Sequence, residues 1–260
     1  MLRGQGGSGE GKAGHAGRGR RPSGGKTFRR GGDNRTSGPG TFHVKQYLPS
    51  VREITRDLES LGLGGMRLDL RSLSLFLRIL GERTARDNLI GPREMERIWP
   101  RHVLESLCYA LLLDRTRLVV DVGTGAGFPG LVLALSGFEV TMLEPRRKRF
   151  LFLRHVLRRL GMDEEMVRRA RVEDEEISES GVLQFVCRAV GPVEKVLGQA
   201  RNAARGDAVL VYRAPREVAS DLVEAQVRIP SPPLDRSGVL VQYRIPKNRP
   251  GRVDHPLEEQ

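Results

Sequence analysis

Apolar positions fall into two regimes along the chain, a purely helical rhythm before residue 115 and an alternation of strand and helix rhythms after it. Ser50-Val51-Arg52-Glu53 has the spacing of a capping box, and Val51, Ile54, Leu58 and Leu61 then share one helical face before Gly62 ends the run. Met66, Leu70, Leu73, Leu77 and Leu80 repeat at helical spacing, while Leu73, Leu75, Leu77 and Ile79 also alternate like a strand; length and the closing Gly81 favour a helix over 66–80. The chain is expected to turn at Pro92 and Pro100, after which 101–113 reads as a helix with Leu104, Leu107, Cys108 and Leu111 inward. From Leu118 the order is strand 118–122, a helix from Pro129, strand 139–143, helix 146–160, strand 167–172, strand 183–187, helix 192–204 and strand 208–212. Such alternation implies right-handed crossovers and a parallel sheet covered on both faces. Strands at 227–229 and 239–245 are joined by the proline-rich 230–238, too short for a crossover helix, so they are expected to pair antiparallel.

Charge divides the chain differently. Of the formal +12, residues 1–41 hold nine Lys or Arg against Glu10 and Asp33, or +7, which leaves +5 for the rest. That segment is Gly/Ser-rich with few aliphatic residues, so it cannot offset its ordering entropy and reads as a disordered tail. The expected organisation is a tail at 1–41, a helical region at 42–115, an α/β domain at 116–247 and a loose terminus at 248–260. A basic balance favours nucleic acid over an acidic membrane surface as partner. With no apolar run of 18 residues and no apolar signal core, a cytoplasmic protein without a membrane partner is expected. Cys108 and Cys187 are far apart in apolar surroundings and read as buried free thiols, neither disulfide nor metal site.

The stretch 121–130, Asp-Val-Gly-Thr-Gly-Ala-Gly-Phe-Pro-Gly, is a cofactor-cradle candidate, because glycine permits positive φ and close backbone approach where a strand turns into a helix. Two cofactors suit it. Gly125, Gly127 and Gly130 spell the G-x-G-x-x-G of dinucleotide folds, and a nicotinamide oxidoreductase follows from that reading. Gly123, Gly125 and Gly127 directly after Asp121 instead suit S-adenosylmethionine, whose ammonium and sulfonium a carboxylate favours. Glu144, ending the next strand, is expected to accept hydrogen bonds from ribose hydroxyls in either case. An ATP-binding P-loop is excluded, since no Lys-Ser or Lys-Thr follows a glycine at the required spacing.

A mostly parallel sheet closed by an antiparallel hairpin resembles the seven-stranded, Rossmann-like sheet of class I S-adenosylmethionine-dependent methyltransferases. More specifically, the chain from Leu70 to Ile245 resembles the bacterial 16S ribosomal RNA guanine-N7 methyltransferases, the glucose-inhibited division B family. The likeness rests on Asn88-Leu89, Arg101-His102-Val103-Leu104-Glu105-Ser106, the glycine turn with Pro129-Gly130, Lys148-Arg149-Phe150-Leu151-Phe152-Leu153, Arg171-Val172-Glu173 and Arg188-Ala189. It implies adenosylmethionine contacts at Gly123, Phe128, Val172, Glu173 and Arg188; Asp121, Gly125, Gly127 and Glu144, read from the turn itself, complete the expected site. It further implies acceptor-side roles for Arg101, His102 and Arg188, and a monomer acting without metal on 16S rRNA or a small-subunit particle. The chain departs from the family pattern at Ile90, where Thr is usual, at Cys187 before Arg188, where Ser is usual, and at Arg213-Ala214 in place of Lys-Gly.

Such chemistry asks little of side chains. Guanine N7 has an in-plane lone pair and no proton, so transfer needs placement but no general base. No Asn/Asp-Pro-Pro-aromatic motif of amino-group methyltransferases is present, since Ser231-Pro232-Pro233-Leu234 lacks both the amide and the aromatic residue. Cys187 lacks the Pro-Cys context of a cytosine-C5 nucleophile. RNA contact is expected from Arg146, Arg147, Lys148 and Arg149, continued by Arg154, Arg158 and Arg159, and from the tail. Arg101 and Glu105, one turn apart, are expected to pair on their helix. The non-enzymatic alternative is a basic RNA-binding protein that retains the fold.

Overall fold

The computed structural model describes residues 48–177 and 182–245. The tail at 1–41 and the terminus at 248–260 lie outside them. Seven strands form one sheet: β1 Val119–Val122, β2 Val140–Leu143, β3 Val167–Arg168, β4 Leu183–Cys187, β5 Ala208–Ala214, β6 Val223–Ile229 and β7 Gly238–Ile245. Their spatial order is β3-β2-β1-β4-β5-β7-β6, with β7 antiparallel to both β5 and β6 and the other pairs parallel. The short connection ahead of β7 does force antiparallel pairing.

From β1 the chain steps outward one way to β2 and β3, and from β4 the other way to β5. Right-handed crossovers moving in opposite directions must cover opposite faces. One face, formed by Val119, Val140, Met142, Val186, Val211 and Leu240, shares a core with α4 (Gly130–Ala134) and α5 (Arg147–Leu160). The other, formed by Val120, Val122, Phe185, Cys187, Leu210 and Val241, is covered by α6 (Val193–Ala203). The N-terminal helices α1 (Val51–Ser60), α2 (Leu70–Asp87) and α3 (Leu104–Cys108) join the first core, so the helical region and the sheet share buried surface.

Local signals set most boundaries. Ser50 caps α1 in a reciprocal box with Glu53, and Gly62 leaves the helix at φ +73°. Val51 points outward at 67% exposure, although Ile54, Leu58 and Leu61 are buried as the spacing predicts. The second helix starts and stops later than periodicity suggests. Asp69 accepts the Arg71 and Ser72 amides, fixing the start at Leu70, and the helix runs through Gly81 until Asn88 turns left-handed at φ +50°. A glycine inside a helix costs about 1 kcal/mol, which buried Phe76, Leu77 and Leu80 offset. Pro100 does not turn the chain: Pro92–Arg97 is a 3₁₀ turn leading into a π-helical segment, Ile98–Val103, and then into α3. The wider π turn separates Arg101 from Glu105, which find other partners. β3 is only two residues, and Val172 sits in a 3₁₀ turn beyond it.

Strand register brings the site together. Val122 is aligned with Leu143 on β2 and Cys187 on β4, and Cys187 with Tyr212 on β5. Gly123, Glu144, Arg188 and Arg213, each one residue further, therefore stand in one row along the carboxyl edge. β1 and β4 are the strands between which the order reverses, where open α/β sheets have their crevice.

Candidate active site

Internal bonds consume the amides of the glycine turn. Gly123 and Thr124 donate to Leu143 O, Gly127 and Phe128 to Thr124 O, Gly125 to Glu144 Oε2 at 2.9 Å, and Gly130 to Asp121 Oδ2 at 2.7 Å. The turn is therefore not the open nest of amides that a pyrophosphate needs, and this removes the main support for the dinucleotide reading. Gly130 heads a five-residue helix whose first amide already faces a carboxylate.

Asp121 corrects the expectation that it faces a cationic ligand. It is fully buried and tied to the backbone of the turn. Burial raises its pKa to about 6, against the lowering influence of the Thr124 hydroxyl and the Gly130 amide. A folded-state pKa above the unfolded value means that Asp121 contributes stability fully present below pH ~4 and lost as pH rises through 6. Asp121→Asn is expected to remove that slope, gaining on the wild type by about 2 kcal/mol between pH 4 and 7 in urea denaturation. A constant difference across that range contradicts the assignment.

Glu144 is also engaged, with Oε2 on the Gly125 amide and Oε1 on the Arg146 amide at 2.8 Å. Each oxygen keeps a further lone pair. Behind this loop lies a cleft of about 460 Å³ lined by Gly123, Arg146, Val172, Glu173, Val190 and Lys195, among others. Gly123 has φ +67°, and a Cβ there would meet Val190 Cγ2 at 3.1 Å. Glu173 accepts from Gln199 Nε2 at 3.0 Å, and both residues line this cleft.

A second cleft, about 340 Å³, is lined by Arg101, His102, Glu105, Arg188, Ala189, Tyr212, Arg213 and Arg236. Only the turn after β4 separates the two, since Ala189 faces the second and the adjacent Val190 the first. This turn is held from three sides. Tyr109 OH donates to Cys187 O at 2.9 Å, Tyr212 OH donates to Gly191 O at 3.0 Å, and Arg188 Nη1 donates to Arg101 O at 3.2 Å. Ala189 sits at φ +55°, a strained conformation that such bonds sustain.

Arg188 and Phe128 stand apart from the first cleft. Phe128 is buried between Phe76, His102 and the Arg188 guanidinium, whose carbon lies 5.3 Å from the ring centroid. Arg188 Nη2 donates to His102 Nδ1 at 2.7 Å, and guanidinium can only donate, so Nδ1 is bare and the proton is on Nε2. His102 Nε2 then donates to Glu94 Oε2 at 2.8 Å. Burial and the neighbouring Arg188 and Arg101 lower His102 to about 4, against Glu94. Glu94, pushed up by burial, is nevertheless held at about 2 by His102 and Arg101. His102 is thus expected to stay neutral, protonated on Nε2, from pH 7 to below 5 in long-range proton–nitrogen spectra; a midpoint near 6.5 excludes this arrangement.

The pairing of Arg101 with Glu105 is not formed. Arg101 Nε meets Glu94 Oε2 at 2.7 Å and its Nη1 is 3.4 Å from Asp235 Oδ2, while Glu105 Oε2 is 2.8 Å from Arg213 Nε. Sequence reasoning missed Glu94, Glu105, Tyr109 and Arg213 as site residues. The one available signal was the position of Arg213 straight after a strand row that also precedes Arg188. Of the basic residues expected to contact RNA here, Arg154 and Arg158 are taken up by Glu164, Arg149 is half-buried, and Arg146, Arg147, Lys148 and Arg159 are exposed. Both cysteines are buried free thiols, and burial pushes Cys108 up to about 12 and Cys187 higher still. Among the described residues no group of His, Cys, Asp and Glu could hold a metal ion, and no helix is long and apolar enough to cross a membrane.

The strand order, the glycine turn at its reversal point and the clefts on either side of the β4 turn define a class I methyltransferase fold. Residues 69–229 match the family described as GidB, rRNA small subunit methyltransferase G, and the chain belongs to that family. It is 36% identical over 197 residues to the ribosomal RNA small subunit methyltransferase G of Mycolicibacterium paratuberculosis, covering 68% of this chain and 78% of that one. To the protein of the same name from Mycolicibacterium smegmatis it is 39% identical over 131 residues, 49% of this chain and 55% of the relative. A further match, 41% identical, is to the Mycobacterium marinum protein of that name and covers 50% of this chain and 60% of the relative. The matched regions thus span little more than half the length of the latter two.

Proposed function

We propose that this chain is an S-adenosylmethionine-dependent methyltransferase that modifies N7 of a guanine in 16S rRNA, acting as a cytoplasmic monomer. The observation that carries the reading is the pair of clefts divided by a single turn, one suited to a methyl donor and the other to a base. The first cleft offers a hydroxyl-bearing ligand the Gly123 backbone and Glu173. Glu144, 2% exposed and bonded to the Gly125 and Arg146 amides, holds the loop beside it and does not line it. Val172 supplies an apolar wall for an adenine, and Lys195 and Arg146 supply cations for a carboxylate.

When bound, the cofactor supplies an electrophilic methyl group. The chain's part is to hold the acceptor in line with it and exclude water, because N7 carries no proton to remove. A pinned turn serves that purpose, since Tyr109, Tyr212 and the Arg188 fork leave Ala189 and Val190 little freedom. Exposed Arg146, Arg147 and Lys148 offer phosphate contacts beside the first cleft. The test is to incubate purified protein with methyl-labelled adenosylmethionine and small-subunit rRNA or particles, and map N7-methylguanosine by chain cleavage. Label at one guanosine is expected; label elsewhere, or calorimetric heat with NAD alone, refutes the reading.

A further inference from the structure

The second cleft holds one carboxylate among guanidinium groups. Glu105 is only 6% exposed, yet just one of its oxygens is closely matched: Oε2 lies 2.8 Å from Arg213 Nε, whereas Oε1 has its nearest cation, Arg188 Nη1, at 3.7 Å. Among the described residues no hydrogen bond reaches either oxygen, and Arg213 Nε, close as it lies, makes none. Both oxygens keep some contact with solvent and line the cleft, so a ligand there meets acceptors not already taken by the protein. Such a carboxylate belongs in a cleft whose ligand brings the donor.

Resting on the methyltransferase reading above, we propose that Glu105 is a specificity-determining residue, accepting hydrogen bonds from N1–H and the N2 amino group of the target guanine. An ionised carboxylate can only accept, so it reads the donors of a base. Guanine is the base whose pairing edge sets two donors side by side next to a carbonyl oxygen. Adenine and cytosine offer one amino group beside a bare ring nitrogen, and uracil one ring N–H between two carbonyls. Arg188 and Arg213, flanking Glu105, supply guanidinium donors for guanine O6. Enzymes that modify a base draw it out of the stack, which frees this edge for a pocket.

The choice of a carboxylate also suits the reaction. As the N7 lone pair forms its bond to the methyl carbon and the carbon–sulfur pair returns to sulfur, the ring gains a positive charge and loses no proton. N1–H becomes a stronger donor as that charge develops. The Glu105 bond therefore tightens from bound base to transition state, which raises turnover as well as affinity. Arg188 makes its short side-chain bond to neutral His102 and only a 3.7 Å ion pair to Glu105, which is the acidic group lining this cleft.

The experiment uses two RNAs that are identical except for guanosine or inosine at the mapped position. Inosine keeps N7, O6 and N1–H and lacks only the N2 amino group. Fluorescence anisotropy without methyl donor gives the affinity ratio, and single-turnover transfer gives the rate ratio. Wild-type protein is expected to favour guanosine roughly tenfold in affinity, the factor associated with one hydrogen bond to a charged group. In Glu105→Gln the preference should fall to about twofold or less, with unchanged affinity for an unrelated RNA as the sign of intact phosphate contacts. Equal binding of the two RNAs by wild-type protein overturns the proposal without any variant, as does a full preference in Glu105→Gln. If that variant does not fold, Glu105→Asp, which withdraws the carboxylate by one methylene, must lower the guanosine preference or the proposal fails. Absence of transfer to the guanosine RNA refutes the methyltransferase reading itself; transfer with no guanosine preference refutes only the role of Glu105.

Discussion

Gly130→Ala is expected to destabilise the protein by more than about 3 kcal/mol, measured as the urea midpoint of purified variant and wild type. A Cβ at this position would lie 2.6 Å from Asp121 Oδ2, 2.8 Å from Met142 Cγ and 2.9 Å from Asp121 Cβ. Both of these residues are fully buried, on adjacent strands β1 and β2. Neither can withdraw without moving a strand or breaking the bond between Asp121 and the Gly130 amide. The position needs glycine for close approach and not for a left-handed conformation, unlike Gly123, Gly125 and Gly127, which have φ of +67°, +64° and +104°. A variant with wild-type stability would mean that α4 sits further from the sheet.

Arg188→Lys is expected to lower methyl transfer to the RNA by about 10²-fold while changing the melting temperature far less than Gly130→Ala. Arg188 uses its fork twice, on Arg101 O and His102 Nδ1, and places its guanidinium carbon over the Phe128 ring, 5.3 Å from the centroid. A point-like ammonium cannot span both bonds and keep the charge over the Phe128 ring at once. The turn carrying Ala189 and Val190 then loses one of its three anchors, and the two clefts lose their fixed separation. Single-turnover rate and adenosylmethionine affinity should be measured together. A loss confined to cofactor affinity would assign Arg188 to the first cleft, against its observed position.

Several features are legible in the sequence because they are encoded over a few residues. The reciprocal cap of Ser50 and Glu53, the strand at Leu183–Cys187 and the antiparallel end of the sheet depend on local spacing and connection length. Helix limits placed at Gly81 and Pro100 are wrong for the opposite reason. Gly81 costs only about 1 kcal/mol, which buried neighbours offset. Pro100 falls in the first turn of the π-helical segment, where proline is tolerated. The sequence displays neither the contacts nor that segment's start. Likewise Val51 has apolar chemistry and helical spacing, but nothing packs over the outer edge of that turn.

Charged groups of the second cleft are the least legible. Arg97 meets Asp235 across 138 positions of sequence, Tyr109 meets Cys187 across 78, and Arg188 meets His102 across 86. Charge alone does not select such partners. The pairing of Arg101 with Glu105 has the right local spacing and still does not form, because the π turn moves Arg101 toward Glu94.

By itself, then, the sequence determined the alternation of elements, the glycine turn and the row of residues following each strand, since hydrophobic periodicity and backbone freedom are local properties. Tertiary structure alone decided what the turn's amides are bonded to, that Asp121 lies buried beneath the glycine turn, and that the turn after β4 stands between two clefts. Those outcomes depend on which distant groups the crossovers bring within hydrogen-bonding distance, and on which of them lose water when they arrive.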